Sequence, residues 1–205
     1  EGMDLKRDDN AEFICECSDI DDIIVFLSNG KYIVTKIAEK AFVGRGIIHV
    51  GIFKKNDERT IYNTVYRHGK NGEVYVKRFA VTGVTRDKEY DLTQGKEGSS
   101  VLWFTDNPNG EAEILKIFLK PRPKLKKLIF EYDFAALNIK GRGSMGNILS
   151  KNPIHKIQLK SKGISQFGGQ AIWFDKDINR LNSDSRGLYL GEYLPHDHIL
   201  VVYKN

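Results

Sequence analysis

The sequence predicts an all-β, propeller-like chain of about four to five blades, and three observations carry that prediction. A short turn signal recurs about every forty residues, in Ser28-Asn29-Gly30, Lys70-Asn71-Gly72 and Pro108-Asn109-Gly110, then in Ser144-Met145-Gly146 and Ser185-Arg186-Gly187. The first three lie between apolar-rich runs. Asn-Gly in that setting is the strongest short hairpin signal, because both residues tolerate a positive φ. No long stretch has the 3.6-residue period of an amphipathic helix, and Phe134 to Leu137 has room for one helical turn at most. A forty-residue repeat holding a hairpin and further strands is the signature of propeller blades. One domain is expected over residues 1–205.

Taken along the chain, Phe13-Ile-Cys-Glu-Cys17 alternates as a strand with one face inward, so Cys15 and Cys17 are expected as buried, reduced thiols. Their C-x-C spacing offers too few ligands for zinc and too small a loop for a useful disulfide. Residues 23–27 and 32–35 flank the first turn, 61–66 and 74–76 the second, 101–104 and 114–115 the third, and 172–174 precede the last. Each run reads as a strand. A cation stands six residues beyond the glycine of each of the first three turns, at Lys36, Arg78 and Lys116. The chain ends on His198-Ile-Leu-Val-Val-Tyr-Lys-Asn205, an apolar run into a turn signal, from which a piece of a longer protein with an incomplete last blade is expected.

Thirty-two Lys and Arg against twenty-seven Asp and Glu give a net charge of +5 and a pI near 9.0, a balance that favours a polyanionic partner. The excess is central: residues 99–160 hold eleven basic and five acidic side chains, while residues 1–58 hold eight and twelve. Within it lies Lys120-Pro-Arg-Pro-Lys-Leu-Lys-Lys127, whose prolines keep it out of a strand interior and so set five cations on an exposed loop. Cations on such a loop can follow a phosphate backbone. No apolar run exceeds five residues, far short of the ~20 that cross a bilayer, so no membrane partner is expected.

Lys140-Gly-Arg-Gly-Ser-Met-Gly-Asn147 formally contains G-x-G-x-x-G, yet the run after it cannot start a good helix and no acid follows between 161 and 169, so the dinucleotide fingerprint fails. A mobile glycine loop exposing Arg142 and backbone N–H groups to phosphate is the expectation there. His196-Asp197-His198, with Asp175 and Asp177 upstream, reads as a solvated turn in preference to a metal centre. G-x-S-x-G, P-loop and H-E-x-x-H motifs are absent, so no catalytic residue and no metal site is assigned.

Asp22-Ile-Ile-Val-Phe-Leu-Ser-Asn-Gly-Lys31, Val81-Thr-Gly-Val-Thr-Arg-Asp-Lys88, Lys140 to Asn147, and Ile172-Trp-Phe-Asp175 leading into Arg180-Leu-Asn182 and Gly187-Leu-Tyr-Leu-Gly191 together give a chain that resembles a known family. It is the C-terminal domain of the DNA-cleaving subunit of bacterial type IIA topoisomerases, DNA gyrase and topoisomerase IV, with the latter the nearer resemblance, over roughly residues 11–205. The resemblance implies a β-pinwheel, in which neighbouring blades exchange strands and duplex DNA bends around a basic outer edge. It also implies a cytoplasmic, nucleoid-associated enzyme in which this fragment is non-catalytic and carries no cofactor. Its companions there are a separate ATPase and a second copy of the DNA-cleaving subunit, with the catalytic tyrosine lying elsewhere. In gyrases the edge carries Gln-Arg-Arg-Gly-Gly-Lys-Gly. Lys140 to Gly146 keeps one arginine and the glycines but has Met145 in place of the lysine, which fits capture of DNA for decatenation better than negative supercoiling. The expected DNA contacts are Lys36, Arg45, Lys77, Arg78, Lys116, Lys120, Arg122, Lys124, Lys126, Lys127, Lys140, Arg142 and Lys151. The alternative reading is a propeller that binds proteins, with the acidic first segment at its face; an RNA-binding module is disfavoured because no RNP-like aromatic run occurs.

Overall fold

The computed structural model describes residues 13–38, 41–167, 170–184, 186–193 and 202. Its elements are β-strands and one short 3-10 helix. The chain divides into two compact units, Glu1–Ile164 and Ser165–Asn205.

In the first unit, β1 (Asp22–Leu27), β2 (Lys31–Lys36) and β3 (Ile47–Phe53) open an antiparallel sheet with β1 in the middle. The β1–β2 hairpin turns at Asn29-Gly30, where Gly30 has a φ of 89° and a Cβ would collide with the Thr93 side chain. β4 (Ile61–Arg67) and β5 (Val74–Ala80) form the next hairpin, around Asn71-Gly72. The chain then goes back. β6 (Glu89–Asp91) pairs with the first three residues of β2, and only afterwards does β7 (Ser100–Asn107) pair with β4. β8 (Ile114–Leu119) and β9 (Ile129–Asp133) begin a third sheet, and the chain goes back again. A 3-10 helix at Phe134–Ala136, capped by the Asp133 carboxylate on the Ala135 N–H, leads to β10 (Ile139–Gly141), parallel to the end of β5. β11 (Asn147–Ser150) lies antiparallel to the start of β5, and β12 (Ile154–Ser161) closes onto β8. In the first unit the second and third hairpins are thus each followed by strands that join the sheet before, the neighbour exchange that the resemblance implies.

In the second unit, β13 (Gln170–Asp175) pairs with both β14 (Arg180–Asn182) and β15 (Leu188–Tyr193). The described residues therefore hold four sheets, all-β as the sequence predicts.

Of the five repeated turn signals, two make hairpins of adjacent strands. Pro108-Asn109-Gly110 joins β7 to β8, which belong to different sheets; Gly146 lies between two strands that both pair with β5, and Gly187 between two that both pair with β13. The third hairpin turns instead through residues 120–128, closed at its base by the Leu119 N–H donating to the Leu128 carbonyl. Asn-Gly reports a local bend in the backbone and is silent about which strands the bend will join.

The middle sheet is covered on both faces. Tyr62, Tyr66 and Phe79 pack with Ile24, Phe26, Tyr32 and Val34 of the first sheet, while Val65, Val74 and Val76 pack with Leu115, Ile117 and Leu119 of the third. Side chains alternate along a strand, so β4 and β5 are buried almost throughout and feed two separate cores. Residues 13–18 are not a strand: they are coil, with Cys15 and Cys17 free and exposed, and among the described residues no strand pairs with them. The Pro195 to His198 turn lies outside the described residues.

Candidate nucleic-acid interface

Two of the expected DNA contacts are interior. Lys77 and Arg78 are 1% and 0% exposed. As neighbours on β5 they point to opposite faces of the middle sheet, each into a different core. Arg78 faces the third sheet, where its Nε donates to Asn63 Oδ1 (3.0 Å) and its terminal nitrogens donate to the carbonyls of Gly110 (2.9 Å), Glu111 (3.4 Å) and Phe134 (3.4 Å). Asn63 in turn donates to the buried carboxylate of Glu113 (3.2 Å), which also accepts from Thr105 Oγ1. One guanidinium thus ties the β7–β8 connection and the 3-10 helix to the middle sheet. Burial pulls its pKa down, with Asp133 and Glu113 opposing that shift.

Lys77 faces the first sheet. Its Nζ donates to the carbonyls of Arg142 (2.5 Å) and Leu92 (3.4 Å) and sits 4.8 Å from the centre of the Phe79 ring. Burial lowers its pKa to about 8, with Asp91 opposing the shift and Lys140 adding to it. The expected recurrence of a cation on one perimeter therefore breaks. Lys36 is exposed at the end of β2 opposite Asp22, Arg78 is interior, and Lys116 stands on the outer face of the third sheet between Glu131 and Gln158.

The glycine loop is not the mobile, arginine-exposing feature expected. It is tied along its length: the Gly146 N–H donates to the Tyr66 hydroxyl (3.2 Å), Gln94 Nε2 donates to the Gly143 carbonyl (2.7 Å), and Lys77 holds the Arg142 carbonyl. The Arg142 guanidinium lies 4.3 Å from the centre of the Tyr90 ring and reaches the Tyr32 hydroxyl at 3.4 Å, a cation–π stack on the first sheet. Lys140 donates to Asn147 Oδ1 across the loop (2.6 Å). A strand, β11, follows where a dinucleotide site would need a helix.

The exposed cations gather elsewhere, where the hairpin turns meet. Hydrogen bonds and contacts link these turns in series. Ser28 N–H donates to Gly46 O (2.7 Å) beside Arg45, and Val101 N–H to Ser28 O (2.8 Å). Gly69 N–H donates to Ser99 Oγ (2.9 Å), which brings Lys70 and Lys96 together. Lys151 reaches Glu73 (3.9 Å), and Lys120 N–H donates to Pro153 O (2.9 Å). The result is one continuous turn edge across all three sheets of the first unit. It carries Arg45, Lys70, Lys96, Lys151, Lys120, Arg122, Lys124, Lys126 and Lys127, all exposed, together with Lys31, which pairs with Glu89, and has Glu73, Asp91 and Glu97 as its acids. Among the described residues none of the five loop cations makes an ion pair. The far ends of the same strands carry Asp22, Asp57, Asp87, Asp106 and Asp133 among Lys36, Arg59 and Arg86, several of them paired, as in Arg86 with Asp22 at 2.9 Å. Sequence reasoning misses Lys70 and Lys96; the signal for Lys70 is its place against an Asn-Gly turn, a position that tight turns keep at the surface.

This edge presents cations on turns anchored by backbone hydrogen bonds, an arrangement suited to phosphates along a backbone and not to base edges. A family model described as the topoisomerase C-terminal domain of Bacteroidota matches residues 4–162. No curated protein matches the chain.

Proposed function

Because the chain belongs to the topoisomerase C-terminal domain family of Bacteroidota, we propose that it is the part of a type IIA topoisomerase's DNA-cleaving subunit that binds and bends duplex DNA without itself doing chemistry. Its role is to capture and orient a DNA segment for ATP-dependent strand passage by the whole enzyme. The catalytic tyrosine, the separate ATPase and the second copy of the DNA-cleaving subunit lie outside this chain. Cytoplasmic, nucleoid-associated work follows from that role. The observation that carries the reading is the turn edge, where nine exposed cations outnumber the acids Glu73, Asp91 and Glu97. Chain positions that resemble the gyrase box serve internal packing instead, which favours orientation of DNA over wrapping with a fixed hand.

Neutralising phosphates releases condensed counterions, so binding must weaken with salt. With about six phosphates engaged, log K falls against log[salt] with a slope near −5. The test is a titration of labelled duplex with the protein at several salt concentrations. A slope of that size supports the reading, and an affinity indifferent to salt overturns it.

A further inference from the structure

The loop between β8 and β9 does more than collect charge. Pro121 and Pro123 bracket Arg122, and each proline disfavours the helical region for the residue before it, which restricts Lys120 and Arg122 toward extended backbone. Leu125 N–H donates to Arg122 O (3.2 Å), with Pro123 second and Lys124 third in that turn. Lys124 has a φ of 69°, the left-handed value that a type II turn requires at its third position. Leu125 packs against the core of the third sheet, and the base is closed by the bonds of Leu119 to Leu128 and Lys120 to Pro153. Arg122 is therefore an exposed guanidinium on a loop fastened at its base and braced in its middle, flanked by Lys120 and Lys124, with Lys126 and Lys127 beyond the turn. Its side chain has no partner among the described residues.

A flexible basic tail would need only lysines spaced along phosphates. Here a single arginine stands between two prolines, and lysine occupies a left-handed position where glycine would relieve strain. The guanidinium is planar and more weakly hydrated than an ammonium, so it gives up water more readily on entering a narrow cleft. The narrow minor groove of A·T-rich duplex concentrates negative potential and draws in arginine. Resting on the duplex-binding reading above, we infer that Arg122 enters the minor groove while the surrounding lysines hold phosphates on either side, so that this edge prefers A·T-rich duplex with a narrow minor groove. The preference comes from groove shape, without hydrogen-bonded reading of a sequence.

The experiment compares two labelled duplexes of about 24 bp, one containing A-tracts and one rich in G·C, by fluorescence anisotropy with the whole 205-residue chain. The expected result is tighter binding of the A-tract duplex by at least about threefold. Arg122→Lys, which keeps the charge at an exposed position, then equalises the two by lowering affinity for the A-tract duplex. The double change Lys126→Ala and Lys127→Ala weakens both duplexes alike. Salt-dependent binding that is equal on both duplexes overturns the groove assignment and leaves duplex binding standing. A preference that survives Arg122→Lys also overturns it. Failure to bind either duplex overturns both.

Discussion

Arg78 shows how a side chain that looks like a surface cation becomes a structural one. Its guanidinium satisfies one side-chain amide and three backbone carbonyls in the interior, so removing it strands several acceptors and leaves the Glu113 carboxylate less compensated. Arg78→Ala should therefore cost about 3–5 kcal/mol in a urea melt, while the folded fraction keeps its affinity for DNA. Lys77 gives a pH signature. Its pKa is about 8 in the folded chain against 10.5 for the ordinary group, so between those values the unfolded chain holds the extra proton. Stability must then rise with pH across that window, by on the order of 1–2 kcal/mol from pH 7.5 to 9.5. Tyr32, Tyr62 and Tyr66 are buried and have raised pKa values, so the trend reverses above about pH 10, where unfolded tyrosines ionise first. Denaturant melts at a series of pH values read this directly, and Lys77→Met should flatten the rise. The sequence held a warning about both residues. Two adjacent cations inside an apolar strand point to opposite faces, so at most one of them can sit on any outer surface.

At the scale of the element, the strands that return to an earlier sheet depend on close approach of backbone to backbone. A Cβ on Gly146 would lie 2.3 Å from the Val76 carbonyl oxygen, with no flexible side chain there to give way. Gly146→Ala should loosen the docking of β11 on β5 at a cost of about 1–3 kcal/mol, seen as faster hydrogen exchange in residues 147–150 and a lower denaturation midpoint. The strands were legible from their apolar runs, and the turns at Asn29-Gly30 and Asn71-Gly72 from their chemistry. The third hairpin was hidden because its turn spans nine residues and carries its positive φ on Lys124, where no glycine marks it. The return strands β6 and β10 are three residues each, too short for period two to register. Their partners lie more than fifty residues away in the chain, a distance over which local pattern carries no information.

At the largest scale, that of the first unit's three sheets taken together, charge is sorted by strand end. The turns carry an excess of exposed cations, and the opposite ends carry mixed, partly paired charge. Reversing Lys126 and Lys127 to Glu should weaken duplex binding at least tenfold, about 1.4 kcal/mol, whereas Lys36→Glu at the far end of the first sheet should change it little. Gel shifts at low salt compare the two. The basic loop itself was readable from its prolines, and the glycine loop misled because its composition matches a phosphate cradle while its backbone is spent on Tyr66, Gln94 and Lys77. Strand exchange also sets the order of assembly during synthesis. The first sheet waits for Asp91 to leave the ribosome and the middle sheet for Ser150, so each layer stays unfinished until the hairpin after it has been made. A truncation between modules would leave an open sheet margin, with the β2 or β5 edge stripped of the strands that return to it.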